Sequence, residues 1–187
     1  MKKARILYAV FMVMASVVIT MSCNPEPSEY VEAVLDFNIT LPEEWTFEKD
    51  YLNAPYVYFG YSPAEWDNDI IEGLWIAKIG PDYYTSLNEF YTQQLTTISA
   101  QAGYSLIWAN DTTINGEPGK KLIHNQTQTI TTNNGTDDYT LVLEKYFFLH
   151  GINGNNYGFI VNLSALDSTY TRFAPPFQEI ISSFSFK

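Results

Sequence analysis

One cysteine, two histidines and ten basic residues in 187 leave little material for several common chemistries. A lone cysteine forms neither an intramolecular disulfide nor a thiolate metal cluster, so stability has to come from a packed core. The glycines never fall into a phosphate loop or a dinucleotide fingerprint, and Gly116 to Gly119 read as a turn before a strand. There is no Gly-x-Ser-x-Gly elbow and no Ser-x-x-Lys, which removes the familiar settings of an activated serine. Long apolar runs are also missing beyond the first residues, where Ile6 to Met21 forms one run of 16.

That run follows Met1-Lys2-Lys3-Ala4-Arg5 and ends at Ser22-Cys23-Asn24-Pro25. A basic start, an apolar middle and a small-residue exit have the order of a secretory signal. A retained membrane span needs ~20 apolar residues, so removal is expected rather than anchoring by the run itself. Ser22 before Cys23 fits a lipoprotein processing site, while Thr20 stands where that pattern usually has leucine. The expectation is a signal peptide over residues 1–22 and lipidation of Cys23, with acyl chains as the link to the membrane.

Without residues 1–22, seven basic residues face 21 acidic ones, a net charge of −14. Such a surface repels phosphate backbones and excludes nucleic acid as a partner. Residues 23–32, with Pro25 and Pro27, read as an extended tether, and 33–187 as one domain. Alternation places strands near 34–39, 56–61 and 73–79. Ser86 with Glu89 marks a helix start, and Leu87, Phe90, Tyr91, Leu95 and Ile98 continue it until Gly103. Four strands follow, over 104–113, 120–132, 139–150 and 157–163, punctuated by Asn115-Gly116, Asn134-Gly135 and Asn153-Gly154. A closing helix is expected over 169–182, kinked or delayed by Pro175-Pro176, and a short strand over 184–186. The fold class is therefore α+β, an antiparallel sheet covered by helices.

Four landmarks in order carry a resemblance: Leu41-Pro42 with Trp45, Thr113-Ile114-Asn115-Gly116-Glu117-Pro118, Asn156-Tyr157, and Phe177 with Ile180, Ile181, Ser183 and Phe184. Together they resemble the PsbP/Mog1-like family, whose members place an antiparallel sheet between helices in an α/β/α sandwich. The resemblance implies a protein that binds partners rather than a catalyst. It transfers no contact residues, because the matching positions are structural.

Chemistry read directly from the residues is sparse. A hairpin turning at Asn134-Gly135 sets His124 opposite Lys145 and His150 opposite Gly119, about 17 Å apart along the sheet, too far to share a metal. Both read as strand-end or surface histidines. Asp67, Asn68 and Asp69, with Glu65 and Glu72, supply oxygen donors of the kind calcium prefers but lack an EF-hand's spacing, so they read as a solvated loop. Aromatics make up 16% of the chain. Trp45, Trp75 and Trp108 fall in or beside strands and are expected in the core, whereas Trp66, Tyr83 and Tyr84 fall in loops, where rings serve recognition. Trp66, Asp67, Asp69, Tyr83 and Tyr84 are thus the candidate binding surface. No catalytic residue, metal site or cofactor is assigned.

The functional expectation is a non-catalytic binding or assembly module of the bacterial cell envelope, lipid-anchored, facing the periplasm or cell surface, with a protein partner. The alternatives are a small-ligand, glycan or calcium binder and a hydrolase with an unrecognised site.

Overall fold

The computed structural model describes residues 36–41, 46–49, 57–61, 73–132 and 135–187. Among these residues nine strands and two helices follow in the order β1 (Phe37–Asn38), β2 (Thr46–Lys49), β3 (Val57–Tyr61), β4 (Gly73–Ile79), α1 (Leu87–Ser99), β5 (Tyr104–Ile114), β6 (Glu117–Thr132), β7 (Gly135–Ile152), β8 (Asn155–Leu166), α2 (Tyr170–Ser183) and β9 (Ser185–Phe186). Seven strands form one sheet in the order β2-β3-β4-β8-β7-β6-β5, antiparallel throughout, and β1 pairs separately with β9. The expected α+β layering is therefore present. β2, which the break at Leu41-Pro42 did not announce, adds an edge to the sheet.

Two hairpins close through Asn115-Gly116 and Asn153-Gly154, where both residues of each turn have positive φ. This is the left-handed geometry that an Asn-Gly pair accepts at low cost and that matches the twist of the flanking strands. The third hairpin differs from the expected Asn134-Gly135 turn. Thr132 pairs with Gly135, so Gly135 belongs to β7 and not to a turn with Asn134. The partner of each β6 residue moves by two positions, and His124 faces Leu143 rather than Lys145. A shift of two preserves which face each side chain occupies, because the pleat repeats every second residue.

α1 begins as its sequence indicates. The Ser86 hydroxyl accepts from the Glu89 amide at 3.2 Å, and the Glu89 carboxylate accepts from the Thr85 amide at 2.9 Å. α2 runs through Pro175 and Pro176, so the prolines do not delay its start.

Each helix covers one face of the sheet. Phe173, Phe177, Ile180 and Ile181 of α2 share a buried cluster with Leu74, Ile76, Tyr146, Phe148, Phe159, Val161 and Leu163. Phe37 of β1 and Phe184 join that cluster, their rings 5.4 Å apart, so the terminal β1–β9 pair is sealed by aromatic packing. On the other face Phe90 and Ile98 of α1 pack with Ala77, Leu122, Phe147 and Ile160. Phe90 lies directly over Gly158, where a Cβ would stand 2.7 Å from its Cζ. Gly158→Ala is accordingly expected to lower stability by about 1–3 kcal/mol, read from urea denaturation, because a ring with no exposed surface has nowhere to retreat. An unchanged midpoint would refute this account of how α1 seats.

Candidate functional site

Tyr83 and Tyr84 are held in place by the loop before α1. The Asp82 amide donates to the Asn156 carbonyl at 2.8 Å, and the Asp82 carboxylate accepts from the Asn156 amide at 2.8 Å. The two tyrosines then diverge. Tyr83 is 50% exposed, whereas Tyr84 is 7% exposed, its ring 4.7 Å from that of Phe90. The Tyr84 hydroxyl accepts from Gln94 at 3.3 Å, and burial raises its pKa. Tyr84 is thus a core residue and not part of an exposed recognition pair: adjacent residues in this loop point opposite ways, and the α1 cluster captures one of them. Trp66, Asp67 and Asp69 of the expected surface, with Cys23 and Trp45, lie outside the described residues.

Among the described residues, the most exposed apolar segment lies elsewhere. β5 ends the order of the sheet on one side, and three consecutive residues on it, Leu106, Ile107 and Trp108, are 54%, 53% and 42% exposed. A bulge accounts for the run. Leu106 pairs with His124 and Trp108 with Ile123, leaving Ile107 as the extra residue, so Leu106 and Trp108 lie on opposite faces of the sheet. Trp108 is therefore at the surface, correcting its expected place in the core. Residues 104–110 carry no charge at all, although edge strands are normally guarded by charged side chains. The signal was legible as an uncharged strand of mixed apolar residues; strand position in the sheet, which turns it into an edge, was not.

Two polar clusters occupy the interior, one on each face of β7. On the α2 face the Glu144 carboxylate takes hydrogen bonds from Tyr146 and, at 2.8 Å, from Tyr170, and lies 2.6 Å from the Lys121 ammonium. Burial raises the pKa of both phenols, and the adjacent carboxylate raises it further, so both remain donors. The charge is fully met.

On the α1 face the next residue, Lys145, is 7% exposed, and its ammonium donates to Asn162 at 2.5 Å with the Trp75 ring 4.9 Å away. Burial alone lowers its pKa to about 7. His124, wholly buried and one pair along β6, is lowered to about 4, by burial first and then by the charge of Lys145. The expected surface histidine is therefore interior. His150 stacks on Phe186 at 4.0 Å and approaches the Glu117 carboxylate at 3.6 Å, at the far end of the sheet from His124. Among the described residues no three His, Cys, Asp or Glu side chains are grouped to hold a metal, and no helix is long and apolar enough to cross a membrane.

No protein-family model matches the chain, and no curated protein does. Solved structures do. LpqN of Mycobacterium tuberculosis, described as involved in cell envelope biogenesis, superposes with a TM-score of 0.54 at 13% identity, over 81% of this chain and 83% of that one. The chain shares the fold of LpqN. At such identity the likeness concerns fold and not activity. Cyanobacterial PsbP from Synechocystis sp. PCC 6803 also matches, with a TM-score of 0.47 and 15% identity over 90% of this chain and 99% of that one. The Ran-binding protein Mog1p of Saccharomyces cerevisiae matches with a TM-score of 0.47 and 10% identity, over 81% and 90%. The PsbP/Mog1-like architecture implied by the four sequence landmarks, a sheet between helices, is the one observed.

Proposed function

We propose that this chain is an envelope lipoprotein, anchored through Cys23, that works as a non-catalytic module and docks a protein partner along β5. The observation that carries the docking surface is the uncharged, exposed edge at Leu106, Ile107 and Trp108. An open edge offers backbone hydrogen bonds to an added strand, and flanking apolar side chains give it purchase. The occupant we infer is an extended segment of another protein, with apolar residues set among basic ones. A second copy would bring another large negative charge to the contact, whereas a basic segment is attracted by it. The likeness to a mycobacterial envelope protein supports the setting. The small-ligand, glycan or calcium binder and the hydrolase remain rival classes, and the acidic loop at Asp67 and Asp69 belongs to the first of them.

A photo-cross-linking residue at position 107 tests the surface in native membranes. The expected result is one adduct with a distinct protein, weakened about tenfold or more when Leu106 and Trp108 are both replaced by arginine. A homodimer adduct, or an adduct of undiminished yield in the double variant, overturns the assignment. Cys23→Ala is expected to move the protein from the membrane to the soluble fraction, and continued membrane retention refutes the anchor.

A further inference from the structure

β6 and β7 run on together beyond the strands on either side of them. Gln126 is the last residue of β6 with a partner on β5, and Leu141 the first of β7 with a partner on β8. One pair further out each strand is still tied. The Thr127 amide donates to the Gly103 carbonyl at 3.2 Å, and the Thr140 carbonyl accepts from the Asp167 amide at 2.8 Å. Over residues 128–130 and 137–139 the two strands have, among the described residues, only each other as strand partners. Successive backbone groups of an antiparallel strand turn to alternate sides. The Thr140 carbonyl points to the β8 side, so the N–H and C=O of Asp138, two residues on, point the same way, past the end of β8. An open edge is usually closed by lysine, proline or a bulge. Here no lysine, arginine or proline occurs from residue 122 to residue 144, and β6 and β7 keep one register throughout.

The side chains along that edge select what can join it. Asp137 and Asp138 are exposed and, being adjacent on a strand, stand on opposite faces. Asp138 is on the α2 face, where the Thr129 hydroxyl donates to it at 2.6 Å. Exposed Asp167 adds a third carboxylate next to Thr140. On the α1 face, half-buried Tyr139 joins Leu141, Leu143 and Leu166 in a small apolar cluster. We propose that the outer edge of β7 at residues 137–139 is a second docking site, for an extended protein segment with two consecutive basic residues beside an apolar one. The residue opposite Asp138 exchanges both backbone hydrogen bonds with it and sets a basic side chain against its carboxylate. One neighbour of that residue, on the other face, brings a second cation to Asp137, and the other lays an apolar side chain on Tyr139. Two basic residues are needed because the carboxylates stand on opposite faces, which a single cation cannot serve. The same carboxylates repel a second copy of this edge. Residues 23–35, with Glu26, Glu29 and Glu32 and no cation, are no better suited. The edge lies on the β8 side of the β6–β7 hairpin and β5 on the other, so the site does not depend on the docking proposed at residues 106–108.

A synthetic peptide, Thr-Val-Arg-Arg-Val-Thr, titrated into isotopically labelled full-length protein in detergent and followed by nuclear magnetic resonance, provides the test. The expected result is saturable shifts of the backbone amides of Asp137, Asp138 and Tyr139, with an affinity that falls as salt is added. Asp137→Asn combined with Asp138→Asn is expected to weaken binding about tenfold, because both lost contacts are exposed ion pairs. The same peptide with glutamate in place of both arginines is expected not to bind. Leu106→Arg combined with Trp108→Arg, aimed at β5, is expected to leave the shifts intact. Absence of saturable shifts at residues 137–139 overturns the proposal, as does undiminished affinity in the asparagine variant or equal binding of the glutamate peptide. Shifts confined to residues 106–108 also overturn it and assign the peptide to β5. Self-association of the protein through residues 137–139 overturns the choice of occupant.

Discussion

Glu144→Ala is expected to destabilise the protein by about 3–5 kcal/mol, the cost typical of removing one partner from a buried ion pair. The carboxylate is the common acceptor for Lys121, Tyr146 and Tyr170, which come from β6, β7 and the first turn of α2. Without it the Lys121 ammonium keeps, among the described residues, only the ring faces of Tyr146 and Trp108, at 5.0 and 5.7 Å. Two phenol hydroxyls lose their acceptor in the same step, each at a further desolvation cost. For a domain of this size the loss corresponds to a fall in melting temperature of about 10 °C. The cost arises from the groups left behind rather than from the worth of the pair. The combined variant Glu144→Leu, Lys121→Met, Tyr146→Phe, Tyr170→Phe is therefore expected to recover most of it. Thermal unfolding followed by circular dichroism reads both. A change under about 1 kcal/mol in Glu144→Ala would show that the network contributes little, contrary to this account.

The landmarks on which the fold was legible prove to be contacts between distant parts of the chain. Asn115, in the turn of one landmark, donates through its side-chain amide to the carbonyls of Ser182 and Phe184, in another, at 2.9 and 2.8 Å. Asn156 of a third exchanges hydrogen bonds with Asp82. Local rules located both Asn-Gly turns and the Ser86 cap because each is decided within four residues. Register in the β6–β7 hairpin was misplaced because Asn133, Asn134 and Gly135 offer two overlapping turns, and strand pairing over 14 residues chooses between them. The candidate site was less legible for a related reason. Whether Tyr84 or Trp108 faces water depends on which strand ends the sheet and where α1 lies. Periodicity places Glu144 and Lys145 on opposite faces, but nothing local says that one finds a counter-charge and the other, among the described residues, does not.

That difference governs the response to pH. Stability is expected to rise between about pH 4 and pH 9 through two groups, with the wild-type protein more stable at about pH 9.5 than at about pH 7, before the buried phenols, whose pKa is raised in the fold, reverse the trend. In the unfolded chain His124 titrates at 6.5 and in the fold at about 4, so between those values the unfolded state holds the extra proton. Acid therefore favours unfolding across that window, by about 3 kcal/mol when it is fully traversed. Lys145 repeats the pattern higher up. Its folded value of about 7 against 10.5 unfolded means that the unfolded state again holds more protons, and stability gains as pH rises through the interval. Most proteins decline in that range or change little, since their stability tends to be greatest between about pH 5 and 8. Urea midpoints at about pH 5, 7 and 9.5 measure both limbs. Lys145→Met is expected to flatten the upper limb and His124→Gln the lower. A wild-type profile that falls above neutral pH, or an upper limb unchanged in Lys145→Met, would show that the lysine finds a counter-charge in the folded state.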